Sequence, residues 1–303
     1  MIKALFFDID GTLVSFKTHT IPDSTIQALT AAKSKGIEIY ISTGRPYPLI
    51  NNISAIEHLI DGYITANGAY CFIGNNIISC SPIPIEEVDF ILKKSEAMNF
   101  ACMVVGEKDY STIHPNQKAE LMFKEMLNVS DIGSNTPISK VLQQPILQLT
   151  PLITEAQEIQ LKSSLQHIES SRWCAEFADF TAKGVNKAKG LQEITRYKRF
   201  ELSETMAFGD GGNDLAILKT AGIGIAMGNA NSMVKEASDY TTTSVDEDGI
   251  YHALRHWDAI WYLKNHKHET IIKVTQKKTS ANVNMFFISS FKWTFCINCL
   301  LYT

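Results

Sequence analysis

Several features that would indicate other classes of protein are scarce in this sequence of 303 residues. It has no long cluster of lysine or arginine, and its formal net charge is -4, so it lacks the concentrated positive charge that grips a nucleic-acid backbone. Six cysteines are few for this length, which favours free thiols in a reducing compartment over a disulfide framework. We therefore expect a small-molecule substrate, no nucleic-acid partner and a cytoplasmic location.

The sequence also gives no expectation of secretion or membrane insertion. An apolar run begins at Ile2 and leaves little room for a basic region and a separate apolar region, so we expect no secretory signal. The stretch from Met285 to Thr303 is apolar, but Lys292, Asn298 and several hydroxyl residues interrupt it, so we expect no membrane span. The pair Cys296 and Cys299 has metal-like spacing but no partner pair, and we interpret it as incidental.

The residues that are present suit a large globular core. Hydrophobic residues make up 45% and charged residues 20% of the chain, which is enough for two domains at this length. Strand-like runs alternate with amphipathic helix-like segments over residues 1–81 and again over residues 183–260. This alternation predicts an α/β protein with a doubly wound parallel sheet.

The pattern changes between residues 82 and 182, where no strand leads into an acid-acid-glycine turn. We predict that residues 82–182 form an α+β domain inserted into a discontinuous core domain of residues 1–81 and 183–260. The alternative is that they extend a single sheet, but their length and different pattern favour a separate domain. Within the insert, the segments predicted as helices are Ile85 to Met98 and Ala119 to Leu127, and the segments predicted as strands are Phe100 to Val105 and Pro145 to Leu152.

Two carboxylates and a glycine turn directly follow the first apolar run. The run ends at Phe7, and Asp8, Asp10 and Gly11 come next. A buried strand that ends in this way brings both acids to the carboxyl edge of a sheet, where open α/β folds bind their ligands. An ordinary Asp-Gly turn explains the motif equally well when it is taken alone. More distant segments are therefore needed to distinguish a ligand site from a simple turn.

One such segment follows the second predicted strand, and another opens a later helix. The hydroxyl and backbone N–H groups of Thr43 and Gly44 would supply hydrogen-bond donors for a phosphoryl group, and so would the ammonium of Lys187 in a helix predicted from Lys183 to about Tyr197. Taken singly, Thr43 is a typical capping residue and Lys187 a typical surface lysine.

The last segment is a glycine-rich loop that follows another apolar strand. It contains Asp210 and Asp214, which together with Asp8 and Asp10 form a set of hard oxygen ligands of the kind that Mg²⁺ prefers. By itself the loop could be a simple turn or, by composition, a calcium loop, although it lacks the ligand spacing and closing glutamate of an EF-hand. The joint order of all these segments at strand ends favours a phosphate site with a metal.

These segments resemble, in order, the four motifs of the haloacid dehalogenase-like superfamily. The insert resembles the large cap of its Cof-type, class IIB phosphatases, and over residues 1 to about 260 the chain is similar to bacterial hexose-phosphate phosphatases. The resemblance implies a Rossmann-like core, a mobile cap, and Mg²⁺-dependent hydrolysis of small phosphate monoesters, sugar phosphates in particular. The matching residues are Asp8, Asp10, Gly11 and Thr12; Ser42, Thr43, Gly44 and Arg45; Lys187; and Gly209 to Asp214.

The resemblance also implies a role for each matching residue. Asp8 would attack phosphorus to form an aspartyl-phosphate, and Asp10 would act as general acid and base. We expect the cation and Lys187 to hold the pKa of Asp8 down, because the nucleophile must stay ionised. The implied ligands are Thr43, Gly44 and Lys187 for phosphate, Asp8, the Asp10 carbonyl and Asp210 for Mg²⁺, and Asn213 and Asp214 in support.

Two further residues are candidates for substrate selection. Asp179 lies eight residues before Lys187 and matches a position that is acidic in many members of the family. Its alternative interpretation is a solvated carboxylate at a strand end. Arg45 is the second candidate, because it directly follows Thr43 and Gly44, which together are called the phosphate motif below.

Two other functions use the same motifs. A phosphotransferase or phosphomutase would pass the phosphoryl group from Asp8 to a sugar instead of to water, and a phosphorylated sugar product would identify it. A non-catalytic phosphate-binding module would be expected to lose Asp8 or Asp10, and both are present. Residues 261–303 have no counterpart in the resemblance, and we expect catalysis not to need them.

Overall fold

A computed structural model of the chain describes residues 1–117, 120, 121, 124, 136–172 and 175–260. The helix predicted over Ala119 to Leu127 lies mostly outside these residues, and everything predicted for residues 261–303 lies outside them. The strands are β1 Ala4–Phe7, β2 Glu38–Ser42, β3 Gly62–Thr65, β4 Tyr70–Ile73, β5 Asn76–Cys80, β6 Cys102–Val105, β7 Tyr110–Ile113, β8 Gln148–Pro151, β9 Ile168–Ser171, β10 Asp179–Ala182, β11 Thr205–Gly209, β12 Ile223–Ala226 and β13 Tyr240–Thr241. The helices are α1 Asp23–Ser34, α2 Ile85–Met98, α3 Ile138–Val141, α4 Glu155–Lys162, α5 Lys187–Lys198, α6 Leu215–Thr220, α7 Ser232–Glu236 and α8 Gly249–His256.

Within the described residues, the larger sheet has eight strands in the order β13-β12-β11-β1-β2-β3-β4-β5. The strands from β13 to β3 in this order run parallel, whereas β4 and β5 pair antiparallel at one edge. β1 lies in the middle, between β11 and β2. The residues that follow these three strands therefore meet at the same edge of the sheet.

Both faces of this sheet are covered by helices. Along β1, Leu5 and Phe7 pack into a buried cluster with α1 and α8, whereas Ala4 and Phe6 pack into another cluster with α5, α6 and α7. A strand that is buried on both faces reads as a continuous apolar run, because each face takes every second residue. The predicted doubly wound α/β core is confirmed.

The smaller sheet is antiparallel and has the order β7-β6-β8-β10-β9. Leu149 on β8 and Phe180 on β10 pack with α2 and α4 in a buried cluster of their own. The described strands of the insert therefore form a separate sheet and do not extend the first one. Gln148 and Thr150 flank Leu149 on β8, and because side chains alternate along a strand they lie on the face away from those helices.

The helix α5 begins four residues later than predicted, at Lys187 and not at Lys183. Gly184 has a φ of 77°, which belongs to a turn, and the side chain of Asn186 accepts a hydrogen bond from the Lys189 N–H at 3.0 Å. Asn186 is therefore the N-cap, which stops the helix from extending toward its N-terminus. As a result Lys187 is the first residue of the helix.

The described cysteines are free thiols, with Cys71 and Cys102 buried and Cys80 exposed. Over the part of the chain that the structure describes, every helix is too short or too polar to cross a membrane.

Candidate active site

Asp8 follows β1 directly, and Asp10 lies in the tight turn after it. Gly11 in this turn has a φ of 85°, and a Cβ atom there would lie 2.3 Å from Oδ2 of Asp210. Both the backbone conformation and the close approach therefore require glycine. The Thr12 hydroxyl also donates to Oδ1 of Asp210 at 2.7 Å, so the turn after β1 is held against the loop after β11.

Lys187 is completely buried between two carboxylates. Its Nζ donates to Oδ1 of Asp8 at 2.7 Å and to Oδ1 of Asp214 at 2.6 Å. Burial alone would lower the pKa of the Lys187 ammonium, but the charges of Asp214 and Asp8 outweigh burial and raise this pKa above its ordinary value. Lys187 is therefore a charged part of the site and not a surface lysine.

The loop after β11 contains Asp214 and one further carboxylate, Asp210. Oδ2 of Asp214 accepts hydrogen bonds from the N–H groups of Asp210 at 3.0 Å and Gly211 at 2.9 Å. Asp214 thus fixes the loop with one oxygen and binds Lys187 with the other. One carboxylate oxygen from each of Asp8, Asp210 and Asp214 lies within 4.8 Å of the others.

This cluster carries more negative charge than Lys187 offsets. Burial raises the pKa of Asp8 well above its ordinary value; Lys187 opposes this rise, and Asp214 and Asp210 add to it. Burial and the charge of Asp214 raise the pKa of Asp210 to about 7. Lys187 therefore acts on Asp8 in the direction expected from the sequence, but it does not outweigh burial and the neighbouring acids.

The three carboxylates fit a divalent metal ion. Carboxylate oxygens are the hard ligands that Mg²⁺ takes, and a dication among them would offset the excess negative charge that raises the pKa of Asp8 and Asp210. Asp214, which the resemblance implies only as a supporting residue, belongs to the cluster. Asp10 does not contribute its carboxylate to it.

The carboxylate of Asp10 is bound by Arg45. Nε of Arg45 donates to Oδ2 of Asp10 at 2.6 Å, and Nη2 donates to Oδ1 at 2.7 Å. A third nitrogen, Nη1, donates to the carbonyl oxygen of Leu49 at 3.0 Å. Arg45 lines the same cavity as Asp10, but these bonds direct its guanidinium at Asp10.

The phosphate motif is only partly as expected. The Thr43 N–H donates to the carbonyl oxygen of Ile64 at 2.9 Å, so the expectation that it binds phosphate is wrong: the group already bonds to the neighbouring strand. Oγ1 of Thr43 accepts a hydrogen bond from the Arg45 N–H at 3.0 Å, and this bond does not use the hydroxyl hydrogen. Among the described residues, no acceptor takes the Gly44 N–H.

The smaller sheet brings Asp179 to the site. Oδ1 of Asp179 accepts hydrogen bonds from Gln148 Nε2 at 2.9 Å and from the Thr150 hydroxyl at 2.8 Å. Burial outweighs these bonds and raises the pKa of Asp179 to about 6. Because Asp179 is only 4% exposed, its interpretation as a solvated carboxylate is wrong.

Sequence reasoning misses Gln148, Thr150 and Asn67. The alternation of two polar residues with apolar Leu149 on one strand is a signal that could have found the first two. Asn67 belongs to an Asn-Gly pair that indicates a turn, and a turn is present. In addition, its side-chain amide lies within hydrogen-bond distance of both Asp179 and Asn213.

The cavity between the two sheets measures about 470 Å³, which suits a small organic molecule. Side chains of both sheets line it, so a bound molecule would contact the turn after β1 and the insert together. Its polar lining includes Asp8, Asp10, Thr43, Arg45, Asp210 and Asn213 from the larger sheet and Gln148, Thr150 and Asp179 from the smaller one.

A cluster of carboxylates around a buried lysine, at the carboxyl edge of a doubly wound sheet, is typical of α/β proteins that transfer phosphoryl groups. The profile of the haloacid dehalogenase-like hydrolases matches residues 5–254, and the chain belongs to this family. The superfamily assigned from the sequence motifs is confirmed.

Several similar proteins are named as phosphatases. The 5-amino-6-(5-phospho-D-ribitylamino)uracil phosphatase YcsE of Bacillus subtilis is 30% identical over 260 residues, which cover 84% of this chain and 96% of YcsE. The HMP-PP phosphatase of Yersinia enterocolitica is 26% identical over 265 residues, covering 85% of this chain and 96% of that protein. The structure of BT4131, a HAD subclass IIB sugar phosphatase, has a TM-score of 0.80 and 48% identity, and the match covers 85% of this chain and 100% of BT4131.

The chain is therefore a phosphatase, a phosphoric monoester hydrolase that acts on small phosphorylated molecules. Phosphatases of this family generally need a divalent metal, and the Asp8, Asp210 and Asp214 cluster is able to bind one.

Proposed function

We propose that this phosphatase hydrolyses hexose phosphates with Mg²⁺ as its metal, through an aspartyl-phosphate on Asp8. The observation that carries the proposal is the position of Lys187, whose Nζ lies 2.7 Å from Asp8 in a fully buried setting. An ammonium there can bind Asp8 and a phosphoryl oxygen together, which reduces the repulsion between two anions. The similarity to the sugar phosphatase BT4131, at 48% identity, supports the choice of substrate.

The first chemical step transfers the phosphoryl group to Asp8. A carboxylate oxygen of Asp8 attacks phosphorus, the bond between phosphorus and the ester oxygen breaks, and the sugar oxygen takes a proton from Asp10. In the second step a water molecule gives a proton to Asp10 and attacks the same phosphorus. The bond between phosphorus and Asp8 then breaks, which releases phosphate and restores both acids.

The remaining residues position the phosphoryl group. The Thr43 hydroxyl, the Gly44 N–H and the Lys187 ammonium are donors for its oxygens. Asp8, the Asp10 carbonyl and Asp210 would hold Mg²⁺, with Asp214 and Asn213 in support. The metal, when bound, offsets the negative charge of the phosphoryl oxygens.

We assign residues 1–81 and 183–260 to the catalytic core and residues 82–182 to a cap that contacts the sugar. Asp179 is the main candidate for this contact, because it lines the cavity and a carboxylate accepts hydrogen bonds from hydroxyl groups. For Arg45 we propose that it orients Asp10, since two of its nitrogens bond to that carboxylate. A cytoplasmic location is part of the proposal and is supported by the free thiols of Cys71 and Cys102.

A substrate panel tests the proposal. The purified protein would be given hexose, pentose and triose phosphates, a ribitylaminopyrimidine phosphate and p-nitrophenyl phosphate, with Mg²⁺ or with a chelator. Free phosphate and phosphorylated sugar products would both be measured. We expect the highest kcat/KM for a hexose phosphate, phosphate as the product, dependence on Mg²⁺, and no turnover by Asp8→Asn. A higher kcat/KM for another class would refute the substrate proposal, and transfer to a second sugar would indicate a phosphotransferase.

A further inference from the structure

Asn67 lies in a strained turn where several parts of the site meet. The turn follows β3, and its residues Ala66, Asn67 and Gly68 all have positive φ values, of 48°, 53° and 99°. Asparagine tolerates this left-handed conformation better than most residues, whereas alanine in it is uncommon. Such strain persists only where the surrounding structure enforces it, and it concentrates at functional sites.

The backbone of the turn is bonded to the phosphate motif. The Asn67 N–H donates to the carbonyl oxygen of Thr43 at 3.1 Å, and the Ala66 N–H donates to that of Arg45 at 3.0 Å. Gly44 lies between these two acceptors, and a Cβ atom on it would be only 3.1 Å from Oδ1 of Asn67. The turn and the phosphate motif therefore hold each other in place.

The side-chain amide of Asn67 extends this link in two directions. Its Oδ1 accepts a hydrogen bond from Nδ2 of Asn213 at 3.0 Å, in the loop that contains Asp210 and Asp214. Its Nδ2 faces Oδ2 of Asp179 at 3.4 Å, at the long end of the hydrogen-bond range. The carboxylate of Asp179 requires a donor, so the nitrogen and oxygen of this amide cannot exchange places without placing oxygen against oxygen.

We propose that Asn67 is a positioning residue for phosphoryl transfer, which holds Asn213 against the phosphate motif with one end of its amide and links both to Asp179 with the other. Asn67 is 5% exposed and does not belong to the lining of the cavity, so it acts through its neighbours. The inference rests on the proposed roles of Asp179 and of the loop after β11, and it adds a connection between the two sheets.

Asn67→Gly is the variant that isolates the amide, because glycine adopts the φ of 53° without strain. We expect kcat to fall about 10- to 100-fold, the usual range for loss of a residue that orients a ligand, with a hexose phosphate and with p-nitrophenyl phosphate alike. Ala66→Gly is the matched control, since it changes the same turn but removes only a methyl group, and it should retain wild-type kinetics.

A double-mutant cycle separates positioning from general damage to the fold. If Asn67 acts through Asn213, Asn67→Gly has little further effect on kcat in an Asn213→Ala background. A second variant, Asn67→Asp, keeps an oxygen for Asn213 but places a negative charge opposite Asp179. It should therefore lower kcat/KM for the hexose phosphate about tenfold more than for p-nitrophenyl phosphate, which has no hydroxyl group for Asp179.

Wild-type kcat in Asn67→Gly with both substrates, or fully additive effects with Asn213→Ala, would overturn the proposal. If Asn67→Asp lowered kcat/KM equally for both substrates, the link to Asp179 would be overturned. This test remains valid even if Asn67→Gly does not fold. If the proposed substrate class is wrong, the result is different. The wild-type protein would then prefer another class of monoester, but the coupling between Asn67 and Asn213, measured with p-nitrophenyl phosphate, would persist.

Discussion

Arg45 binds both oxygens of the Asp10 carboxylate, through Nε at 2.6 Å and Nη2 at 2.7 Å. A planar guanidinium can fix the plane of a carboxylate in this way, whereas a lysine ammonium cannot. We therefore predict that Arg45→Lys lowers kcat for a hexose phosphate roughly tenfold and changes KM little, because the proton donor is oriented less well. Steady-state kinetics separate the two parameters.

Arg196→Lys is the control for this change, since Arg196 makes an exposed ion pair with Glu193 on α5 and should tolerate the substitution. A rise in KM at constant kcat for Arg45→Lys would show instead that Arg45 binds the substrate directly.

The role of Asp10 predicts a dependence on the leaving group. A sugar alkoxide needs a proton to leave, whereas p-nitrophenolate does not, but the second step needs a base for both substrates. In Asp10→Asn we expect roughly 10²-fold or greater loss with a hexose phosphate. With p-nitrophenyl phosphate we expect a rapid burst of one equivalent of p-nitrophenolate, followed by slow turnover. Stopped-flow absorbance measures the burst.

Asp89→Asn, an exposed change on α2, controls for the loss of one carboxylate. Steady release of p-nitrophenolate by Asp10→Asn at the wild-type rate, without a burst, would remove Asp10 from both steps.

Asp179 predicts a pH-dependent cost in stability. Burial raises its pKa from the ordinary value of 3.8 to about 6 in the folded protein, so the folded state binds the proton more tightly than the unfolded state. Its ionisation therefore destabilises the fold progressively as pH rises from about 4 through about 6, by a total on the order of 1–3 kcal/mol. Asp179→Asn removes this cost.

We expect Asp179→Asn to raise the thermal midpoint by a few degrees at about pH 8 and by less at about pH 5. The same variant should lower kcat/KM for hexose phosphates relative to p-nitrophenyl phosphate. Calorimetry at the two pH values gives the first result. A variant that is less stable than the wild type at the higher pH would contradict the assigned sign.

The acidic cluster predicts that metal binding depends on pH. The pKa of Asp210 is raised to about 7, so protons compete with Mg²⁺ below that pH, and the metal has more effect once the carboxylates are ionised. We expect Mg²⁺ to raise the thermal midpoint more at about pH 8 than at about pH 6. Sodium chloride at equal ionic strength is the control. An equal rise at both pH values would mean that the ion binds elsewhere.

The general location of the site could be predicted from the sequence, because it depends on strand ends. Asp8, Thr43 and Asp210 each follow an apolar strand, and parallel strands bring such positions to one edge of a sheet. The doubly wound topology could be predicted from the alternation of strand and helix patterns alone. Asp179 could be proposed because it matches an acidic position of the family.

Partners set by side-chain packing could not be predicted. That Arg45 faces Asp10 depends on loop conformations. That Asn67 lies between Asp179 and Asn213 depends on contacts between segments more than 100 residues apart. The bond from the Thr43 N–H to the Ile64 carbonyl oxygen could not be predicted, because it depends on the register between β2 and β3. Without this bond the N–H would be free for phosphate, which is why that prediction is wrong. The start of α5 shows the same limit, since the Asn186 cap and the Gly184 turn both lie within the segment predicted as helix.

The stereochemistry at phosphorus shows directly whether the phosphoryl group passes through Asp8 on its way to water. A hexose phosphate made chiral at phosphorus with oxygen isotopes would be hydrolysed in isotopically labelled water, and the configuration of the released phosphate determined. Each in-line displacement inverts phosphorus, so transfer to Asp8 followed by hydrolysis gives net retention. We therefore expect retention, whereas inversion would mean direct attack by water without an aspartyl-phosphate on Asp8.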